Sequence, residues 1–218
     1  MFTLAEENYI KAIYHLEQEE QGEVSTNSIA LRMETKPSSV TDMVQKLSEK
    51  QLLTYKKYKG TLLTENGKKI ATKVIRKHRL WEVFLVEKLN FQWDEVHEIA
   101  EQLEHIHSEE LIIRLDKFLG FPDFDPHGDP IPDRHGKVKP TAKKLLCDMT
   151  KNDKGICVGV KDNSTEFLQY LDKRKIRIGT EIKVLGKELF DGSMTIEVEK
   201  DQFFISKEIS ENLFIQTK

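Results

Sequence analysis

The segment HEIAEQLEH, residues 97–105, restricts the fold more than any other stretch of this 218-residue chain. At 3.6 residues per turn, His97, Glu101, Glu104 and His105 fall at i, i+4, i+7 and i+8, on one face of a helix predicted from about Trp93 to His107. In a soluble helix that face is normally apolar. Here it carries only imidazoles and carboxylates, so its packing partner must satisfy four ionisable groups. Upstream, RKHRLWE places His78 and Glu82 one turn apart on another helix, predicted over about Glu65 to Leu89. If the two helices pack side by side, six donors converge. Burying them together is costly unless divalent cations satisfy the carboxylates and neutral imidazoles at once. Oxygen and imidazole donors without sulfur favour manganese or ferrous iron, although raw affinity rises toward nickel, copper and zinc. His15, His107, His127 and His135 lie outside this pattern and are read as ordinary surface or core histidines.

Composition narrows the setting. With 38% hydrophobic and 33% charged residues, the chain is long and apolar enough for one to three globular domains. No apolar run approaches the roughly 20 residues that span a bilayer, and MFTLAEENYI lacks the basic start and apolar stretch of a signal peptide. A cytoplasmic location without membrane contact is expected. Cys147 and Cys157 belong to no paired motif and are read as plain thiols. The net charge of −3 conceals a separation: from Lys36 to Arg79 twelve basic residues face three acidic ones, and from Trp81 to Asp125 the ratio is reversed. A basic block beside an acidic one suits a polyanion surface next to a cation-binding region.

The basic block has a recognisable order. Leu4, Tyr9, Ile10, Ile13, Tyr14 and Leu16 repeat at helical spacing, Ser25 caps a short second helix, and Pro37 opens a third with Val40, Val44 and Leu47 on one face. LLTYKKYKGTLLTENG then reads as two short strands around the turn at YKGT. Helix, turn, helix and hairpin make a winged helix-turn-helix. The third helix offers Lys36, Pro37, Ser38, Ser39, Thr41, Asp42 and Lys46 to a major groove, and Lys56, Lys57 and Lys59 on the hairpin suit phosphates. The expected divisions are residues 1–64 for the DNA-binding domain, 65–140 for a helical metal-binding and dimerisation domain, and 141–218 for a linker and small β-barrel. In the middle part Leu80, Phe84, Leu103, Ile106, Leu111, Ile112, Leu115 and Phe118 pack the helices together or against a second copy. PDFDPHGDPIPDRHG and KVKPTAKK read as turn and linker. Beyond them GICVGV, TEIKVLGKEL, SMTIEVEK and QFFISKEI read as strands, with one helix at STEFLQYLDKRK. The fold class is mainly α with a β C-terminal domain.

Enzyme readings find little footing. HEIAE has Glu101 where the zinc-protease motif needs its second histidine, and EHIH supplies one Glu-x-x-His where ferritin-like di-iron sites use two. A di-metal carboxylate and histidine enzyme, or a metal-buffering protein with an incidental basic surface, is the alternative. No small organic substrate is indicated.

EENYIKAIYHL, KPSSVTDMVQKL, RKHRLWEVFL, EVHEIAEQLEH and PHGDPIP, in that order, resemble the metal-dependent repressors of the diphtheria toxin repressor and manganese transport regulator family. The resemblance covers nearly the whole chain. It implies a winged-helix DNA-binding domain, a helical dimerisation domain and, as in the long members, an SH3-like C-terminal domain similar to the ferrous transport accessory protein. It implies that His78, Glu82 and His97 belong to one metal site, and that Glu101, Glu104 and His105 belong to a neighbouring one. Glu101 stands where iron-type members carry cysteine and manganese-type members glutamate. Asn8 falls where the N-terminal helix lends an aspartate or methionine, Lys11 where manganese-type members have a glutamate ligand, and Glu166, with Asn163, where the SH3-like domain adds ligands. The implied protein is a homodimeric repressor that senses Mn²⁺ first and Fe²⁺ second, with two ions per protomer, and that binds a palindromic double-stranded operator controlling metal-homeostasis genes.

Overall fold

Thr3 fixes the start of the first helix in the computed structural model, which describes residues 2–56 and 59–217. Its hydroxyl accepts from the Glu6 amide at 3.3 Å, and the Glu6 carboxylate accepts from the Thr3 amide at 3.1 Å, a reciprocal cap on α1 (Leu4–Glu20). Then follow α2 (Thr26–Arg32), capped by Ser25 as its sequence suggests, and α3 (Pro37–Glu49), with Pro37 in its first turn. Strands β1 (Leu53–Lys56) and β2 (Gly60–Leu63) pair antiparallel as the wing, and a bridge from Val24 to Thr61 ties the wing back to the segment before α2. Ile10, Ile13, Ile29, Val40, Val44 and Leu47 are wholly buried together, the apolar stripes that the spacing predicted. The long helix α4 (Glu65–Leu89) has the predicted bounds.

By their Cα packing the residues fall into two compact units. One contains the chain through His78 with 102–109 and 132–138, and the other contains 79–101, 110–131 and 139 onward. In the second unit, β3 (Lys144–Leu145), β4 (Lys154–Val160), β5 (Glu181–Lys187), β6 (Met194–Val198), β7 (Asp201–Ile205) and β8 (Leu213–Gln216) form an antiparallel sheet in the order β3-β8-β4-β5-β6-β7. Helix α7 (Thr165–Asp172) buries Phe167, Leu168 and Leu171 in the same core as Ile182, Val184, Ile196 and Ile215. This is the small SH3-like β domain of the sequence reading. β8 and α8 (Lys207–Ser210) are additions: KEIS is a helical turn capped by Ser206 where the alternation suggested strand.

Two further elements depart from the sequence reading. Helix α5 covers only Val96–Leu103, so Glu104 and His105 lie in the turn after it and not on a helical face with His97. Helix α6 (Glu109–Phe118) ends at Gly120, φ +76°, as expected. The stretch read as plain turn and linker is instead ordered by a repeat, DPHGD at 125–129 and DRHGK at 133–137. In each, the aspartate Oδ1 accepts from the amides two and four residues on, at 2.8 and 2.9 Å. Gly128, φ +83°, is required there, because a Cβ would collide with the Val158 carbonyl. No helix among the described residues is long and apolar enough to cross a membrane.

Glu6 has no solvent exposure and pairs with Lys46 at 2.9 Å and Lys50 at 2.6 Å, which fastens α1 to α3. Burial works against its charge, yet the two ammonium groups and the Thr3 amide hold the carboxyl at about 2 against an ordinary 4.5. A depressed carboxyl stabilises the fold fully above pH 4.5, and that contribution is lost as pH falls toward about 2. Glu6→Gln is expected to lower stability at pH 7 by about 1–3 kcal/mol. Chemical denaturation across pH 2–7 checks this, the mutant and wild-type curves converging at the acid end.

Candidate metal centre

In the first unit α1 and the turn after α5 hold a set of buried polar side chains. Glu104 is fully buried. Lys11 Nζ lies 2.7 and 2.8 Å from its two carboxylate oxygens, and His78 Nδ1 lies 2.7 Å from Oε2. Glu7 Oε2 is 2.6 Å from His105 Nδ1, and Glu7 Oε1 is 3.9 Å from His107 Nδ1. In a neutral His105 that donates Nδ1–H to Glu7, Nε2 carries the lone pair; that atom is buried without a hydrogen-bond partner among the described residues and lies 3.6 Å from Glu104 Oε1. Asn8 Oδ1 is a second buried acceptor in the same condition. A histidine oriented by a carboxylate, with its other nitrogen unsatisfied, is the arrangement that metal-ligating histidines adopt. The donors therefore fit a divalent ion.

The second unit gathers another set. His97 Nδ1 lies 3.4 Å from Glu82 Oε1 and 3.2 Å from the Asn163 side-chain amide, and His97 Nε2 lies 3.6 Å from Glu101. Asn163 is thus beside His97, whereas Glu166 is exposed in the first turn of α7. Behind Glu82, His127 Nδ1 is 3.6 Å away, and ligand atoms of Glu82, Asp125 and His127 all lie within 4.8 Å of one another. These three are better explained as an ion-paired network. His127 Nε2 donates to the Trp93 carbonyl at 2.8 Å, while Asp125 accepts two amides and lies 3.4 Å from Arg79 Nε. Burial opposes a charge on His127, but the Glu82 and Asp125 carboxylates and the Trp93 carbonyl raise its pKa to about 9.

Sequence reasoning overlooked Glu7, Asp125 and His127, and it treated Lys11 only as a failed ligand. A signal for Glu7 existed: with Ile10 and Tyr14 at i+3 and i+7, it occupies a position of the apolar face. The repeat D-x-H-G pointed to an ordered turn around His127.

On the nucleic-acid side, Lys36, Pro37, Ser38, Ser39 and Asp42 are exposed along the start of α3. Thr41 is half-buried, its hydroxyl donating to the Pro37 carbonyl at 3.0 Å. Lys46 shares its charge with Glu6, as described. Lys56 and Lys59 are exposed at the hairpin, and Lys57 lies outside the described residues.

A winged helix-turn-helix together with clusters of imidazole and carboxylate donors defines a metal-responsive DNA-binding regulator. Residues 1–61 match the N-terminal DNA-binding domain of the iron-dependent repressors, residues 64–133 their metal-binding and dimerisation domain, and residues 144–217 the FeoA domain. The HTH-type transcriptional regulator MntR of Oceanobacillus iheyensis is 38% identical over 121 residues, 56% of this chain and 81% of that protein. The iron-dependent repressor IdeR of Mycobacterium tuberculosis is 37% identical over 126 residues, 58% of this chain and 54% of that protein. A manganese-dependent transcriptional repressor solved in complex with manganese superposes with a TM-score of 0.90 at 30% identity, covering 98% of this chain and 100% of that one. The chain belongs to the iron-dependent repressor family of metal-dependent, DNA-binding transcriptional repressors, the family of the diphtheria toxin repressor.

His127→Gln is expected to destabilise the second unit by about 3 kcal/mol, because Glu82 and Asp125 lose the buried cation between them. In the wild type the raised imidazole pKa keeps the cation until pH rises through about 9, where the contribution is lost, while burial and the charge of Glu82 raise the Asp125 carboxyl to about 7, so Asp125 adds its charge only above that value. Thermal denaturation of both proteins between pH 6 and 10 tests it, the difference shrinking toward alkaline pH.

Proposed function

We propose that this repressor is cytoplasmic and responds to Mn²⁺ first and Fe²⁺ second, with two ions per protomer, one at each donor cluster. The expected division into residues 1–64, 65–140 and 141–218 assigns DNA binding to the first part and metal binding with dimerisation to the second. In the first unit His78, Glu104, His105 and Asn8 are the ligands, with His78 also hydrogen-bonded to Glu104 and Glu7 orienting His105. In the second unit Glu82, His97 and Glu101 are the ligands, with Asn163 a nearer candidate than Glu166. The observation that carries this reading is the buried Nε2 of His105, which lacks a hydrogen-bond partner, lies 3.6 Å from Glu104 Oε1 and belongs to a ring held by the Glu7 carboxylate. The manganese bound in the similar solved repressor and the glutamate at Glu101 support manganese over softer ions.

A bound divalent ion would supply the positive charge that lets these carboxylates and imidazoles stay together out of water. The chain's own residues do the rest. Glu7 and Asn8 lie on α1 of the winged helix, so donors bound from both sides restrain α1 against the turn after α5. That restraint orients α3 and the wing. On α6 the exposed Leu111 and Phe118, seven residues apart on one face, form an apolar pair suited to a second copy. Two such copies present paired α3 helices to successive major grooves of a palindromic operator, with Lys36, Ser38, Ser39 and Asp42 near bases and Lys56 and Lys59 near phosphates. Turning a population from about 1:99 to 99:1 requires roughly 5.5 kcal/mol of differential binding, within reach of two coordinated ions.

Titrating operator-length DNA with and without Mn²⁺ tests the reading. Binding is expected only with the ion and should weaken steeply with salt; equal binding in its absence would refute metal control. Glu101→Cys is expected to move the metal preference toward softer ions such as Zn²⁺ by about tenfold or more, measured by competition with a chelating dye. Unchanged selectivity would remove Glu101 from the ligand set.

A further inference from the structure

We propose that Lys11 is a built-in cation that occupies Glu104 in the metal-free protein and raises the metal concentration at which the repressor responds. The inference rests on the reading of the first-unit cluster as a metal site.

Both oxygens of Glu104 are engaged by one ammonium, at 2.7 and 2.8 Å, and the two side chains are 13% and 0% exposed. A buried carboxylate without a counter-charge is costly, so this contact keeps the cluster assembled when no ion is bound. Charge counting shows what it does to a ligand. Glu7 and Glu104 bring two negative charges, Lys11 one positive, and the imidazoles of His78 and His105 are counted as neutral. A divalent ion added to this set leaves an excess positive charge beside the ammonium. With a neutral side chain at 11, the two carboxylates would balance a divalent ion. Lys11 therefore stabilises the empty state and opposes the filled one, two effects of the same sign on the metal threshold.

The experiment is calorimetric titration of the full-length dimer with Mn²⁺ alone, joined to thermal denaturation with and without the ion. His105→Ala identifies the binding step that belongs to the first unit. Lys11→Gln, which keeps a hydrogen-bond donor for Glu104, and Lys11→Met, which does not, remove the charge; Lys11→Arg keeps it. The expected result is a first-unit affinity tighter by about tenfold or more in both neutral variants, with a lower melting temperature in the empty state and a larger rise on adding Mn²⁺. Lys11→Arg should bind like the wild type. A neutral variant that folds only with Mn²⁺ supports the proposal through its ion-dependent melting. Unchanged or weaker affinity in the neutral variants overturns the proposal, as does an arginine variant that behaves like the neutral ones. If the wild type and His105→Ala bind Mn²⁺ identically, the metal reading of the cluster itself fails, a separate outcome.

Discussion

A single carboxylate with no access to water, Glu104, organises the part of the molecule where metal sensing is proposed. It sits in a turn, not in regular structure, and is placed by what holds it: the Lys11 ammonium from α1 and the His78 imidazole from α4. Because ions are expensive to bury alone, these partners are obligatory, and they connect the winged-helix core to the donor segment by electrostatics. Glu7 and His105 form a parallel link between the same two segments. The cluster is thus already assembled by hydrogen bonds, with His105 Nε2 and Asn8 Oδ1 left over.

The same principle recurs at the DNA-binding end. Glu6, buried at the start of α1, takes two lysines from the last part of α3 and its C-cap. α3 is held to α1 by charge on one side and by Val40, Val44 and Leu47 on the other. A displacement of α1 would therefore carry α3 with it. Glu6 and Glu7 are adjacent in the chain, one paired with the lysines of α3 and its C-cap and the other with His105 of the donor turn, so α1 touches both segments through consecutive residues.

Much of this was legible in the sequence. The bounds of α4, the order of α1 to α3, the hairpin and four of the strands of the C-terminal domain follow from apolar periodicity, a Ser cap, a proline and glycine turns, which are local signals. What stayed hidden is non-local. Glu104 and His105 read as the end of a helical stripe, but their tertiary partners hold them beyond the last turn of α5. Glu7 looked like one more solvated glutamate, and His127 like an ordinary histidine, because pairing with Glu82 and Trp93 depends on the folded D-x-H-G turn. Lys11 was noticed only as a mismatch to the family's glutamate, and its role needed the distance to Glu104.

The most direct measurement is anomalous diffraction from crystals of the full-length protein grown with Mn²⁺, recorded on both sides of the manganese edge. A peak bonded to His105 Nε2 and a carboxylate oxygen of Glu104 is the predicted result. Manganese bound only at exposed acidic residues, with His105 Nε2 still unligated and Lys11 still on Glu104 at saturating ion, would contradict it.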